Sequence, residues 1–272
     1  MLLPPSVERK MSKLTGALQS RTSIIESIYL YGSVALGDYI DGTSDIDFVV
    51  IVSESPTEED IKAISDAHTE TEREYPEVDI MGMYLLAQDL GQPYCADRPS
   101  LNFYNKQVHT NGFGADWNPI TWWILKHRGI RVAGAEQSMN YEIDTQSLSR
   151  YVIENMNSYW LGWIERLEQF IATKGSFSTG QLDEAVDWCA LGMLRQLYTV
   201  SEQGVKSKVQ AGEYGLTVIP EKWHSIIQEA IWIKQLRPKR VYVDNDKRLG
   251  DLAALLRYIH VEANRIYNAA KS

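Results

Sequence analysis

The sequence predicts an α+β fold in two parts, a domain with a small mixed β-sheet at residues 1–115 and a C-terminal α-helical bundle at residues 116–272. In the first part, three apolar runs alternate with helical patterns, which is typical of a sheet covered by helices on one face. These runs lie at 24–31, 46–52 and 78–85. From residue 143 onward, apolar residues recur only at helical spacing, and helices of similar length with short loops favour an antiparallel bundle.

The helices of the first part follow from apolar spacing and from their end signals. Residues 6–22 place four apolar side chains on one helical face. These are Val7, Met11, Leu14 and Leu18. A second helix is expected from about 55 to 74, because three acids suit its first turn and Pro76 follows its end.

In the second half, four long helices are expected, at 143–173, 178–202, 220–236 and 244–269. A shorter helix should begin at Asn118-Pro119 and end at Gly129. Residues 91–115 are rich in Pro, Asn and Gly, so they are expected to link the two halves.

Composition favours a globular protein that acts on a small ligand. Of the 272 residues, 44% are hydrophobic and 23% are charged, and the net charge is −9. This acidity, without a basic stripe, disfavours nucleic acid as a partner and suits a cationic small molecule. The sequence shows neither a membrane span nor a secretory signal, so a cytoplasmic location is expected. Cys95 and Cys189 lie far apart and match no zinc motif, so no disulfide is expected.

The segment 29–52, YLYGSVALGDYIDGTSDIDFVVIV, carries two acids and a glycine–serine turn. Asp45 and Asp47 are two residues apart on an expected strand, so their side chains point to one face. Like charges this close need a cation, and oxygen ligands suit Mg²⁺ or Mn²⁺. Gly32-Ser33 lets backbone amides approach an anion. Together these features indicate phosphoryl or nucleotidyl transfer. The alternative is a tight turn followed by a strand whose acids face water.

This segment resembles the nucleotidyltransferase superfamily, which has the DNA polymerase β-like catalytic fold, and within it the streptomycin/spectinomycin type of aminoglycoside adenylyltransferase. The motif residues are Tyr31, Gly32, Ser33, Ala35, Gly37, Asp38, Ser44, Asp45, Ile46 and Asp47. The resemblance implies Mg-dependent transfer of AMP from ATP to a hydroxyl of an aminoglycoside or aminocyclitol, and with it antibiotic resistance. It also makes 1–115 the catalytic domain and 116–272 a helical domain that completes the substrate cleft.

The resemblance assigns roles to three carboxylates. Asp45, Asp47 and Asp79 would hold two Mg²⁺ ions. Asp79, at the third strand, would also act as the base on the acceptor hydroxyl, and Glu77 is the alternative residue for this role. The nucleotide-binding residues of the first half would be Gly32, Ser33 and Ser44.

Four residues of the second half are further candidates. The segment KSKVQAGEYGL resembles one whose lysine contacts nucleotide phosphates, which points to Lys208, and an exposed lysine at a helix start is the alternative. Asp187 and Glu184 are candidate contacts for ammonium groups of the acceptor, although charge near a helix N-terminus also explains Glu184. Trp117 is a candidate for stacking on a substrate ring, with a core position as the alternative.

Two other functions remain open at this point. The first keeps the chemistry and changes the acceptor to a protein, as in AMPylation of an antitoxin-like partner, and the long helical half argues against it. The second is a non-catalytic, nucleotide-binding regulator, and the three carboxylates argue against it. The sequence assigns no oligomeric state.

Overall fold

The computed structural model of the chain describes residues 2–94, 100–110, 116–175 and 177–271. The chain divides into two compact units, Met1–Ile143 and Asp144–Ser272. The first unit contains a six-stranded sheet with helices, and the second is helical, so the predicted α+β class is confirmed. Cys95 lies outside the described residues.

The sheet of the first unit has the strand order β5-β4-β3-β2-β1-β6. Its strands are β1 (Ile25–Leu30), β2 (Ile46–Val52), β3 (Ile80–Leu86), β4 (Leu101–Tyr104), β5 (Gln107–His109) and β6 (Ile130–Gly134). β2 and β3 run parallel, and the other neighbouring strands run antiparallel. The sheet is therefore mixed, as predicted, and β1, β2 and β3 are the three strands that the sequence indicated.

The other three strands were not predicted. With them, the first unit extends to Ile143 and does not end at residue 115. β4 and β5 form a hairpin inside the segment expected to be a linker. Its two turn residues, Asn105 and Lys106, have left-handed φ values of 49° and 59°, and because neither is glycine the usual hairpin signal is missing. β6 pairs with β1, so the chain after residue 115 continues the sheet instead of starting the bundle.

The helices of the first unit are α1 (Pro5–Gln19), α2 (Gly32–Ala35), α3 (Glu58–Glu74) and α4 (Pro119–Arg128). α3 begins with a capping box, in which the Thr57 side chain accepts from the Asp60 amide and the Asp60 carboxylate accepts from the Thr57 amide. Asn118 caps α4 by accepting from the amides of Ile120 and Thr121. Both starts agree with the signals in the sequence.

One face of β2 packs with α1 and α3 in a shared apolar cluster. The four predicted side chains of α1 are each at most 1% exposed. The residues of β2 in this cluster are Ile46, Phe48, Val50 and Val52. Because side chains alternate along a strand, Asp45 and Asp47 point to the opposite face. The two acids are thus kept apart from the main apolar core.

α3 also contributes a buried histidine to this core. His68 is 1% exposed, its Nε2 lies 2.8 Å from the Tyr84 hydroxyl, and its ring stacks on Phe103 with the ring centroids 3.7 Å apart. Burial, with a smaller effect from the charge of Lys10, lowers the pKa of His68 to about 3. The folded protein therefore keeps His68 neutral over most of the acidic range.

The second unit is built from seven helices in its described residues. These are α5 (Thr145–Asn155), α6 (Leu161–Ala172), α7 (Thr179–Ala185), α8 (Gly192–Glu202), α9 (Lys208–Val218), α10 (His224–Lys234) and α11 (Asn245–Ala269). π-helical turns at Met156–Trp160 and Val186–Leu191 join α5 to α6 and α7 to α8, so each of the first two predicted helices is continuous. The predicted helices at 220–236 and 244–269 correspond to α10 and α11. Within the described residues, no helix is both long and apolar enough to cross a membrane.

A buried ion-pair network holds part of this unit together. Arg248 of α11 is 1% exposed, and its guanidinium lies 2.6 Å from Glu229 and 2.7 Å from Asp183. Glu229 is fully buried and also accepts the backbone N–H groups of Val241, at 2.5 Å, and Tyr242, at 3.1 Å. These contacts join α7, α10, α11 and the loop between α10 and α11.

We predict an acid sensitivity that comes from His68. As the pH falls from about 6.5 to about 3, the unfolded chain binds a proton at His68 that the folded protein does not bind. The free energy of unfolding should therefore fall with pH, by up to about 1.4 kcal/mol per pH unit from this group. Urea unfolding at several pH values measures this slope, and His68→Phe should show a shallower one. Equal slopes in the two proteins would contradict the assignment.

We also predict that Arg248→Met lowers the free energy of unfolding by about 3–5 kcal/mol, because the buried Glu229 carboxylate loses its cation. The matched control is Arg257→Met, which removes a partly exposed pair with Glu168 at 2.6 Å and should cost about 1 kcal/mol or less. Denaturant unfolding monitored by circular dichroism compares the two variants. A loss for Arg248→Met no larger than that of the control would refute the role of the network.

Candidate functional site

The turn between β1 and α2 is interlocked with β2. Gly32 has a left-handed φ of 57°, and the Tyr31 amide donates to the Asp47 carbonyl at 3.0 Å. A Cβ atom built on Gly32 would lie 1.6 Å from Oδ2 of Asp47, so the carboxylate occupies the space that any other side chain would need. Glycine is therefore required both for the backbone conformation and for the close approach of Asp47.

Asp45 and Asp47 form the pair of acids that the sequence indicated. Asp45 directly precedes β2, and Asp47 is its second residue. Both residues are partly buried, and the strand alternation places their side chains on one face. The structure thus brings the paired carboxylates and the Gly32 turn together in a single feature.

The two serines of the motif differ in their surroundings. Ser33 Oγ is buried and has no hydrogen-bond partner among the described residues. Ser44 Oγ accepts from the Ile40 amide at 3.1 Å, and the Ser44 amide donates to the Ile40 carbonyl at 2.9 Å. The Ser33 hydroxyl therefore has an unused hydrogen-bonding capacity next to Gly32, whereas Ser44 closes the loop that precedes the acids.

A fourth acid, Asp116, lies near this pair and was missed in the sequence. Burial raises the pKa of Asp116, the charge of Asp45 adds to this, and the interaction with the Tyr31 hydroxyl opposes it. The pKa of the buried Tyr31 is likewise raised, by burial first and then by the charges of Asp116, Asp47 and Asp45. The only sequence signal is the position of Asp116 two residues before the cap of α4, which gives no indication of this tertiary contact.

Asp79 directly precedes β3, beside the paired acids in the sheet. The parallel register joins Ile46 to Ile80, and the Ile46 amide donates to the Asp79 carbonyl at 2.9 Å, so Asp79 is the strand neighbour of Asp45. Its side chain is 74% exposed and lies 3.7 Å from Nζ of Lys106. Glu77 is also exposed.

Paired carboxylates are suited to Mg²⁺ in a nucleotide site, because this ion keeps several waters and uses one or two carboxylates together with substrate phosphates. Asp45 and Asp47, with the Ser33 hydroxyl nearby in the Gly32 turn, match that requirement. Among the described residues, however, no group of three His, Cys, Asp or Glu side chains is arranged to hold a metal ion. The role of Asp79 as a third metal ligand stays a prediction.

In the second unit, Lys208 is the first residue of α9 and is not an ordinary exposed lysine. Its Nζ lies 3.4 Å from Oδ2 of Asp187 and 4.9 Å from the ring centroid of Trp188. Burial lowers the pKa of Lys208, the charges of Lys234 and Arg195 lower it further, and Asp187 opposes the change. Lys208 therefore contacts one carboxylate and one indole ring and lies within the electrostatic reach of two further basic side chains.

The remaining candidates, Glu184 and Trp117, have other surroundings within their own units. Glu184 is exposed, while its neighbour Asp183 pairs with Arg248 and Arg240 in the buried network. Trp117 is 5% exposed, and its Nε1 donates to the Gln92 carbonyl at 2.7 Å. This burial agrees with the alternative interpretation of Trp117 as a core residue.

Comparison with known families agrees with both units. Residues 11–95, which run from α1 through β3 and contain the paired acids, match the nucleotidyltransferase domain family. Residues 177–257 match the aminoglycoside adenylyltransferase C-terminal domain family. The chain therefore carries a nucleotidyltransferase domain followed by an aminoglycoside adenylyltransferase C-terminal domain, which indicates a nucleotidyltransferase.

A solved structure shares the fold of this nucleotidyltransferase. It is the spectinomycin adenyltransferase AAD(9) from Enterococcus faecialis, crystallised with ATP and spectinomycin, and the TM-score is 0.61. The two sequences are 14% identical, and the match covers 94% of this chain and 98% of that chain. No curated protein matches the chain.

We predict that Gly32→Ala weakens binding of MgATP roughly tenfold or more, which corresponds to about 1.4 kcal/mol, because the new methyl group would displace Asp47 or the turn. Gly16→Ala is the matched control, since a Cβ at this position in α1 meets nothing within 4 Å. Isothermal titration calorimetry compares the two variants with the wild type. Unchanged affinity in Gly32→Ala would show that the interlocked turn does not form the nucleotide site.

Proposed function

We propose that this nucleotidyltransferase transfers AMP from ATP to a hydroxyl group of a small cationic acceptor, an aminoglycoside or aminocyclitol such as streptomycin or spectinomycin. The observation that carries the proposal is the contact between Gly32 and Asp47. It joins the glycine–serine turn, to which we assign phosphate binding, to a pair of carboxylates, and nucleotidyl transfer needs this combination.

The carboxylate pair has the role of cation binding in this proposal. Asp45 and Asp47 would hold Mg²⁺, which neutralises phosphate charge when it is bound with the nucleotide. The backbone of Gly32 and the free hydroxyl of Ser33 would orient the phosphates. The family resemblance implies two ions and a third ligand, Asp79. This part of the mechanism does not need them.

The transfer step exchanges one phosphorus–oxygen bond for another. The acceptor oxygen attacks the α-phosphorus of ATP, the bond to the β-phosphate oxygen breaks, and pyrophosphate leaves. The proton of the acceptor hydroxyl passes to Asp79, which is exposed and adjacent in the sheet to Asp45. Asp79 is thus proposed as the base, a role that needs access to solvent and acceptor.

The basic group of the second unit supports binding of a polyanion. Lys208 lies among the charges of Arg195 and Lys234, and this concentration of positive charge suits a triphosphate and the departing pyrophosphate. We therefore propose Lys208 as a phosphate contact, with Arg195 and Lys234 as supporting charges.

The choice of a cationic acceptor rests on Asp187 and on the net charge of −9. The carboxylate of Asp187 and the ring of Trp188 lie beside the ammonium group of Lys208, and an acid next to an aromatic ring is chemically suited to an amine. Antibiotic resistance in the cytoplasm, where ATP is available, is the biological role that this reaction supports.

We predict that the protein, incubated with MgATP and a panel that includes streptomycin and spectinomycin, adds the mass of AMP to one compound. Asp47→Asn should reduce the rate roughly a hundredfold or more, because it removes one of the paired charges. Asp66→Asn, at an exposed pair with Lys62 on α3, should leave the rate unchanged. Mass spectrometry of the small molecules detects the adduct.

The other outcomes separate the alternatives. Binding of MgATP without an adduct on any compound would exclude the panel as acceptors, and labelling of a protein partner would then indicate AMPylation. An absence of MgATP binding would contradict the nucleotide site itself.

A further inference from the structure

The loop at 75–79, which leads into β3 and ends at Asp79, is held by two lysines. Lys10 of α1 is fully buried, and its Nζ donates to the carbonyls of Tyr75, at 2.8 Å, and Val78. Lys106 Nζ donates to the carbonyl of Pro76 at 3.0 Å. Three of the five carbonyl groups in this short loop therefore accept from two ammonium groups.

Glu72 of α3 connects the two lysines. Its side chain is 11% exposed and lies 2.6 Å from Nζ of Lys10 and 3.8 Å from Nζ of Lys106. A buried ammonium group is costly without a counter-charge, and Glu72 supplies one. Because Lys106 also lies 3.7 Å from Asp79, positive and negative groups alternate from the core to the surface.

The position of Lys106 is fixed by an unusual backbone. Lys106 and Asn105 both adopt left-handed φ values, in a two-residue turn between β4 and β5. Such a conformation costs on the order of 1 kcal/mol for a residue other than glycine and persists where the surroundings determine it. Because β4 pairs with β3, the turn places Lys106 beside the start of β3.

We propose that Lys106, supported by Lys10 and Glu72, is a positioning residue that fixes the carboxylate of Asp79 for the acceptor hydroxyl. The inference rests on the base role proposed for Asp79. An ion pair this exposed contributes little to stability, so its effect should lie in the placement of Asp79 and not in folding. Small displacements of a reacting group are known to lower rates strongly.

The test compares Lys106→Met with Lys106→Arg, which keeps the charge. In Lys106→Met, backbone amides of residues 75–79 should exchange hydrogen faster than in the wild type while the rest of the first unit is unchanged. Turnover of the compound adenylylated in the panel should fall roughly tenfold in kcat, with the Kd for MgATP unchanged.

Lys106→Arg should restore most of the kcat and most of the exchange protection at 75–79. Lys62→Met, at the exposed pair on α3, is the matched control and should behave as the wild type.

The same measurements separate failure of this inference from failure of the proposed function. If Asp79→Asn abolishes turnover while Lys106→Met changes neither turnover nor exchange at 75–79, the positioning role is overturned and the proposed reaction stands. If Asp79→Asn retains full turnover, Asp79 is not the base, and both its proposed role and the positioning role of Lys106 are lost. Lower kcat in Lys106→Met with an equal rise in the Kd for MgATP would also overturn the proposal, because the lysine would then act on the nucleotide.

Discussion

The contact between Gly32 and Asp47 is the constraint on which the site depends. The left-handed turn brings the Tyr31 amide to the backbone of β2 and leaves room for a carboxylate where a side chain would otherwise be. The acid pair is thereby placed on the face of β2 opposite to the cluster with α1 and α3. One face of β2 is thus apolar along its length, and the opposite face carries the acid pair at the start of the strand and buried Val49 and Ile51 further along.

Each unit contains a buried ion pair, and in each unit a member of this pair binds backbone groups of a loop. In the first unit, Lys10 is buried against Glu72 and holds the chain before β3. In the second unit, Glu229 is buried against Arg248 and accepts two amides of the loop after α10. Well-packed apolar residues give comparable stability at lower desolvation cost. These buried charges add conformational specificity, because each one must meet defined backbone groups of the loop.

The ionisable groups around the site differ in how much of each side chain is exposed. Asp116 and Tyr31 are packed near the paired acids, and burial raises the pKa of each group. Asp79, by contrast, is mostly exposed and balanced by Lys106. Burial favours the neutral form of an acid, whereas an exposed acid keeps its carboxylate hydrated and accessible. The paired acids and Asp79 lie at the starts of the neighbouring parallel strands β2 and β3.

The sequence by itself determined the fold class, the three central strands, most of the long helices and the Gly32, Asp45 and Asp47 motif. Each depends on residues close together in the chain, through periodicity, capping or a turn. Tertiary structure alone decided the remainder, namely the short strands β4 to β6 and the partners of individual side chains. Lys106 meets Asp79, and Asp116 meets Tyr31, only because distant segments pair or pack in the sheet unit. Local propensity carries no information about such contacts, since they are set by which strands become neighbours.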